Sequence, residues 1–314
     1  MRKSAAAVIA LFACLLPFFS TKPIMADQFD DAYVAYVQGD YVTAYKVWKP
    51  IAEQGEAKAQ FNLGEMYAHG QGVSQDYGEA AKWFRKAADQ GDANAQFHLS
   101  MLYANGQGVT QDYSQAAKWC RKAAEQGNVQ AQFKLGVLYN MGQGVPKDIV
   151  QAVRWTRNAA ENGFAEAQSN LGFFYDTGQG VLQDYSEAAK WYNKAAEQGI
   201  ADAQCNVGDM YSKGLGVPKD YVEAAKWYRK AAGQGIAKAQ FELGMIYGKG
   251  QGVLQEYTLS YMWFDIAALN FSSHESEKHN IAVKNRDWVA SKMTPAQIAE
   301  AQRLAREWKP KKEK

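Results

Sequence analysis

The residues of this 314-residue chain whose types could do chemistry are its four histidines, its three cysteines and a recurring Gly-x-Gly. His274 and His279 bracket Glu275-Ser276-Glu277-Lys278, which invites comparison with a zinc-hydrolase helix. That motif needs its histidines four apart, so that both imidazoles share one helical face; here they are five apart, and no metal site is expected. His69 and His98 have no serine or cysteine in a catalytic context beside them. Gly70-Gln71-Gly72 and its copies are followed by no Gly-Lys-Ser/Thr and lack the strand-then-helix setting of a dinucleotide site. Neither a catalytic residue nor a cofactor is expected. Asn270-Phe271-Ser272 is a glycosylation sequon, meaningful only in a host that glycosylates exported proteins.

These residues sit on elements that repeat. Gln60, Gln96, Gln132, Gln168, Gln204 and Gln240 are spaced 36 residues apart, and the series beginning at Tyr67 and Trp83 keep the same step. A fixed period of this size is the signature of stacked repeats. Each unit reads as two helices. In the first, Ala59, Leu63, Gly64 and Tyr67 fall on one face. Glycine inside a helix costs about 1 kcal/mol relative to alanine, so its return at 136, 172, 208 and 244, with Ser100 as the small exception, implies a close helix crossing. Gly70-Gln71-Gly72-Val73 ends the first helix.

Asp76 starts the second, and Glu79 gives it the spacing of a capping box, repeated at Asp112/Gln115, Asp148/Gln151, Asp184/Glu187 and Asp220/Glu223. Ala80, Trp83, Phe84, Ala87 and Ala88 form its apolar stripe. Burying about 200 Å² of a tryptophan stabilises by on the order of 5 kcal/mol as an upper estimate, so neighbour stacking is expected to hold the fold and no copy to fold alone. The invariant glutamine reads as a satisfied hydrogen bond at a helix end or between copies, not as a ligand site. Cys120 and Cys205 stand where other copies carry Phe84 and Tyr192, or Phe61 and Phe133, and read as small buried hydrophobes. A disulfide between them would need alpha carbons within about 7 Å, which a linear stack does not offer.

The pattern Ala-x-Ala-Gln-x-x-Leu-Gly-x-x-Tyr-x-x-Gly-x-Gly-Val-x-x-Asp, followed by Ala-Ala-x-Trp and Lys-Ala-Ala-x-Gln-Gly, resembles Sel1-like repeats, relatives of tetratricopeptide repeats, over residues 57–271. Copy three departs with Asn158 and Asn162. Copy six departs with Glu256, Ile266 and Asn270-Phe271. The resemblance implies an all-α fold, a right-handed α/α solenoid of helix pairs that holds other proteins, with exported bacterial members in envelope signalling, polysaccharide export or host interaction. Residues 27–56 read as a degenerate first repeat, because Asp40-Tyr41 and Gln54-Gly55 align on the 36-residue step, with Trp48 one place off the Trp83 register. Residues 272–314 read as capping helices and a basic tail, with Thr294-Pro295-Ala296-Gln297 opening the last helix.

Residues 1–26 read as a cleaved secretory signal: Arg2 and Lys3 precede an apolar core from Ala5 to Phe19, and Ala26 offers a small residue before Asp27. The core is shorter than the roughly 20 residues that span a bilayer, so a periplasmic or secreted protein without a membrane span is expected. The formal net charge of +2 falls to −1 once Arg2, Lys3 and Lys22 are removed, which leaves no global field to hold nucleic acid.

If the first helices line a concave surface, the positions around 58, 61, 65, 68 and 69 point away from the Leu63/Gly64/Tyr67 seam. Position 65 then reads Met101, Val137, Phe173 and Asp209 in copies two to five; position 69 adds Met141, and position 61 adds Phe97 and Phe133. Apolar residues at wet positions mark an interaction site, so a protein or peptide partner of a monomeric scaffold is expected there. A β-lactamase-like hydrolase is the alternative that the resemblance suggests, although the paired cysteines of such relatives are missing. A glycan binder using the many aromatics is a third reading.

Overall fold

The computed structural model describes residues 24–310, and every element among them is helical. Residues 1–23 of the segment read as a signal (1–26) and the last four residues of the basic tail lie outside that range. The chain divides into two compact units, one ending at Gln90 and the other beginning at Gly91.

In the first unit, α1 (Ile24–Val37) and α2 (Tyr41–Glu53) form a pair, followed by α3 (Ala57–His69) and α4 (Tyr77–Asp89). Trp48 is buried on α2, with the rings of Phe29 and Tyr36 at 5.8 and 5.4 Å. Its place is one 36-residue step before Phe84, which explains its apparent slip from the Trp83 register. A β-carbon added at Gly64 would lie 2.5 Å from the Phe84 ring, so glycine there is a steric requirement of the α3–α4 crossing.

The second unit stacks five pairs: α5 (Ala93–Asn105) with α6 (Tyr113–Glu125), α7 (Val129–Met141) with α8 (Ile149–Glu161), α9 (Ala165–Thr177) with α10 (Tyr185–Glu197), α11 (Ala201–Lys213) with α12 (Tyr221–Gly233), and α13 (Ala237–Lys249) with α14 (Tyr257–Asn270). A 3-10 turn (Ser273–Glu275), α15 (Ser276–Ala290) and α16 (Pro295–Glu307) follow. The tight crossing returns at Gly172, Gly208 and Gly244, opposite Tyr192, Tyr228 and Phe264. Copy two resolves it by exchange: the residue opposite is the slim Cys120, whose thiol donates to the Ala131 carbonyl at 3.2 Å while the Ser100 hydroxyl donates to the Phe97 carbonyl, so a serine fits where the other copies need glycine. Copy three pairs Gly136 with Thr156.

The N-caps form as the sequence predicts, but the capping boxes of the second helices do not close. Asp76 accepts from the backbone N–H of Gly78 and Glu79. The return bond from Glu79 has no donor, because the Asp76 N–H is already given to the Tyr67 carbonyl at 2.9 Å. Glu79 accepts from Lys82 instead, at 2.6 Å. The backbone bond recurs at Asp112, Asp148, Asp184 and Asp220. Glu256, one methylene longer, makes no side-chain cap in copy six. A complete box does form at Thr294/Gln297, and Trp308 at the end of α16 meets Trp263 edge-on at 6.0 Å.

The invariant glutamines tie copies together. In the second unit, Gln132, Gln168, Gln204 and Gln240 each donate to the alanine carbonyl eight residues earlier, in the preceding copy. Gln168 and Gln204 also accept from Gln198 and Gln234, which donate in turn to Gly163 and Gly199 of the preceding copy. Asn270 makes the equivalent bond to Gln240 at 2.9 Å, so its amide belongs to this ladder. Copy three alone breaks it: Asn162 turns back to Asn158 at 2.8 Å and leaves the buried Oε1 of Gln132 without a partner.

Candidate partner-binding face

The first helices of the second unit carry the position-65 register: Met101, Val137, Phe173, Asp209 and Met245, on α5, α7, α9, α11 and α13. Of the residues the sequence picks out, Met141 and Phe173 are exposed, at 61% and 45%. Met101 and Val137 are half-buried. Phe97 and Phe133 are half-buried too, and their rings serve packing: Phe97 borders the cluster of Cys120 and Leu135, and Phe133 lies 5.2 Å from Phe164. Asp209 is the centre of a polar network, with 14% of its side chain exposed.

That network comes from the second helices. Position 84 is Phe in copies one and six but Tyr192 and Tyr228 in copies four and five. A buried tyrosine hydroxyl needs a partner. Tyr228 donates to Asp209 Oδ1 at 2.6 Å, and Tyr192 is hydrogen-bonded to Asp176. In those same copies position 61 is Ser169 and Cys205 in place of phenylalanine. Lys238 donates to the other Asp209 oxygen at 2.5 Å, and Lys213 stands 3.6 Å away. Burial raises the Asp176 carboxyl, against the opposing pull of Lys213 and the Tyr192 hydrogen bond. Burial also raises Glu242, with the Asp209 charge adding to it and Lys238, Lys213 and Lys249 opposing. The face therefore changes character along the unit, from apolar in copies two to four to charged in copies four to six. Position-65 reasoning finds Asp209 but misses Asp176 and Glu242; tyrosine at position 84 beside an acid on the first helix is the signal that could have found Asp176.

The residues singled out for chemistry are dispersed. Cys120 and Cys205 are buried and unpaired, and burial pushes both thiols up to about 12, which keeps them protonated and poor nucleophiles. His274 lies in the 3-10 turn, whereas His279 lies on α15 with its Nδ1 set 2.8 Å from the Ala268 carbonyl. Among the described residues no group of three or more His, Cys, Asp or Glu side chains could hold a metal ion. No described helix is long and apolar enough to cross a membrane.

The Sel1 repeat profile matches residues 57–92, 93–128, 129–164, 165–200, 201–236 and 237–270. A solved Sel1 repeat protein from Oxalobacter formigenes is 36% identical, with a TM-score of 0.67 over 77% of this chain and 96% of its own. The protective antigen c5321 of uropathogenic Escherichia coli, described as displaying an SLR fold, is 29% identical over 91% of this chain and 76% of its own, with a TM-score of 0.43. No curated protein matches the sequence significantly, and the hydrolase alternative finds no support in these similarities. Sel1 repeat proteins are generally protein-interaction scaffolds, and the fold is typically non-catalytic. With six matched segments running unbroken from residue 57 to residue 270, the chain belongs to the Sel1 repeat family.

Proposed function

We propose that this protein is an exported, non-catalytic scaffold that holds a segment of another protein along the first-helix face of its second unit. Export rests on the signal-like residues 1–26. The observation that carries the binding reading is the pair Met141 and Phe173, two large apolar side chains left in water on the first helices of adjacent copies, with the acids Asp176 and Asp209 on the same series of first helices. Exposed apolar groups rimmed by polar ones suit a partner that buries an apolar stretch and is aligned by charge. Envelope signalling or host interaction is the setting in which such a scaffold would act.

The test is a pull-down from a cross-linked native envelope fraction with Met141→Asp/Phe173→Asp against the unaltered protein. Both side chains are exposed, so the melting temperature should move little while capture falls at least tenfold. Unchanged capture would refute this face as the site.

A further inference from the structure

Beyond the apolar row, the far end of the second unit contains a cleft of about 330 Å³ lined by Lys238, Phe241, Glu242, Phe271, Lys278 and Ile281. Only half of it belongs to the repeating surface. Phe271 follows α14, and Lys278 and Ile281 come from α15, so the cap supplies half of its walls. Its charges are unequally committed. Lys238 is paired with Asp209, and Lys278 with Glu275 at 2.8 Å. Glu242 is half-buried, with lysines nearby but none within ion-pair distance. The cleft thus combines Glu242, a carboxylate without an ion-pair partner, with two phenylalanines and an isoleucine in its lining.

We propose that this cleft is an anchor site for an arginine side chain of the partner protein, its guanidinium paired with Glu242 and stacked on the rings of Phe241 and Phe271. A guanidinium is planar, weakly hydrated and always charged, and it binds both carboxylates and aromatic faces; an ammonium is compact and holds its water more tightly. A carboxylate partner is disfavoured, because both lysines already have acids and Glu242 would repel it. The inference rests on the scaffold reading and adds the chemistry of one contact.

The experiment is a titration of the full mature chain, labelled at isoleucine methyls, with acetyl-Gly-Arg-Gly-amide and its citrulline, lysine and glutamate counterparts. The Ile281 methyl should shift saturably with the arginine peptide. Citrulline, which keeps the shape but not the charge, should bind at least tenfold more weakly, as should the arginine peptide to Glu242→Gln. An unmoved Ile281 methyl, equal binding of citrulline, full binding by Glu242→Gln or preference for the glutamate peptide would each overturn the proposal. The outcome is independent of the Met141/Phe173 pull-down. Failure here with loss of capture there removes only the arginine site, whereas success here with capture intact there removes only the apolar row.

Discussion

At the scale of single residues, Glu242 and Asp176 stand out because burial acts against them. A carboxyl whose pKa is raised in the folded state contributes stability that is full below its unfolded value, about 4.3 for glutamate, and is lost as pH rises through the folded value. At neutral pH the ionised Glu242 is therefore destabilising. Glu242→Gln cannot ionise, so it should raise the melting temperature at pH 7.5, with the gain shrinking as the pH falls through the folded value of the carboxyl and gone below about 4; thermal melts by circular dichroism at pH 7.5 and below 4 check this. A gain of the same size at both would show that the charge of Glu242 is not what costs stability. A buried carboxyl whose ionisation costs stability fits a binding role. Ser100 and Cys120 show the opposite economy: each is unusual for its position, and together they preserve one helix crossing.

At the scale of elements, the helices are bound to one another by the glutamine ladder, and its one gap is a substitution by a shorter amide. Asn162→Gln places the amide within reach of the orphaned Gln132 Oε1 and the preceding copy. An unsatisfied buried polar group costs about 1–3 kcal/mol, so restoring the bond should stabilise the protein by about 1 kcal/mol in urea unfolding. A neutral or negative change would mean that Gln132 is satisfied in solution by water. Repetition made the ladder glutamines, the internal glycines and the Asp N-caps legible in the sequence, because one local solution is written six times. The capping box was misread for a physical reason: spacing shows that Glu79 can reach the N-cap, but not that the Asp76 N–H is already spent on Tyr67, nine residues away. Asn270 was misleading in the same way, since a sequon is read locally while its amide bonds to Gln240, thirty residues earlier.

At the scale of the whole molecule, the second unit combines a uniform scaffold with a face whose chemistry varies along its length. The apolar half was legible by comparing copies at position 65, although only the structure separates Met141 and Phe173, which are exposed, from Phe97 and Phe133, which pack inward. The cleft around Glu242 was not legible, because Phe271, Lys278 and Ile281 lie where the repeat pattern has ended and no other copy can be aligned with them. A photo-reactive amino acid placed at Phe173, on a first helix, and separately at Val150, an exposed position on a second helix, would locate the partner directly in native envelope preparations. Binding along the first-helix face predicts a discrete covalent adduct from position 173 and none from position 150. An adduct from position 150 with none from position 173 would contradict it.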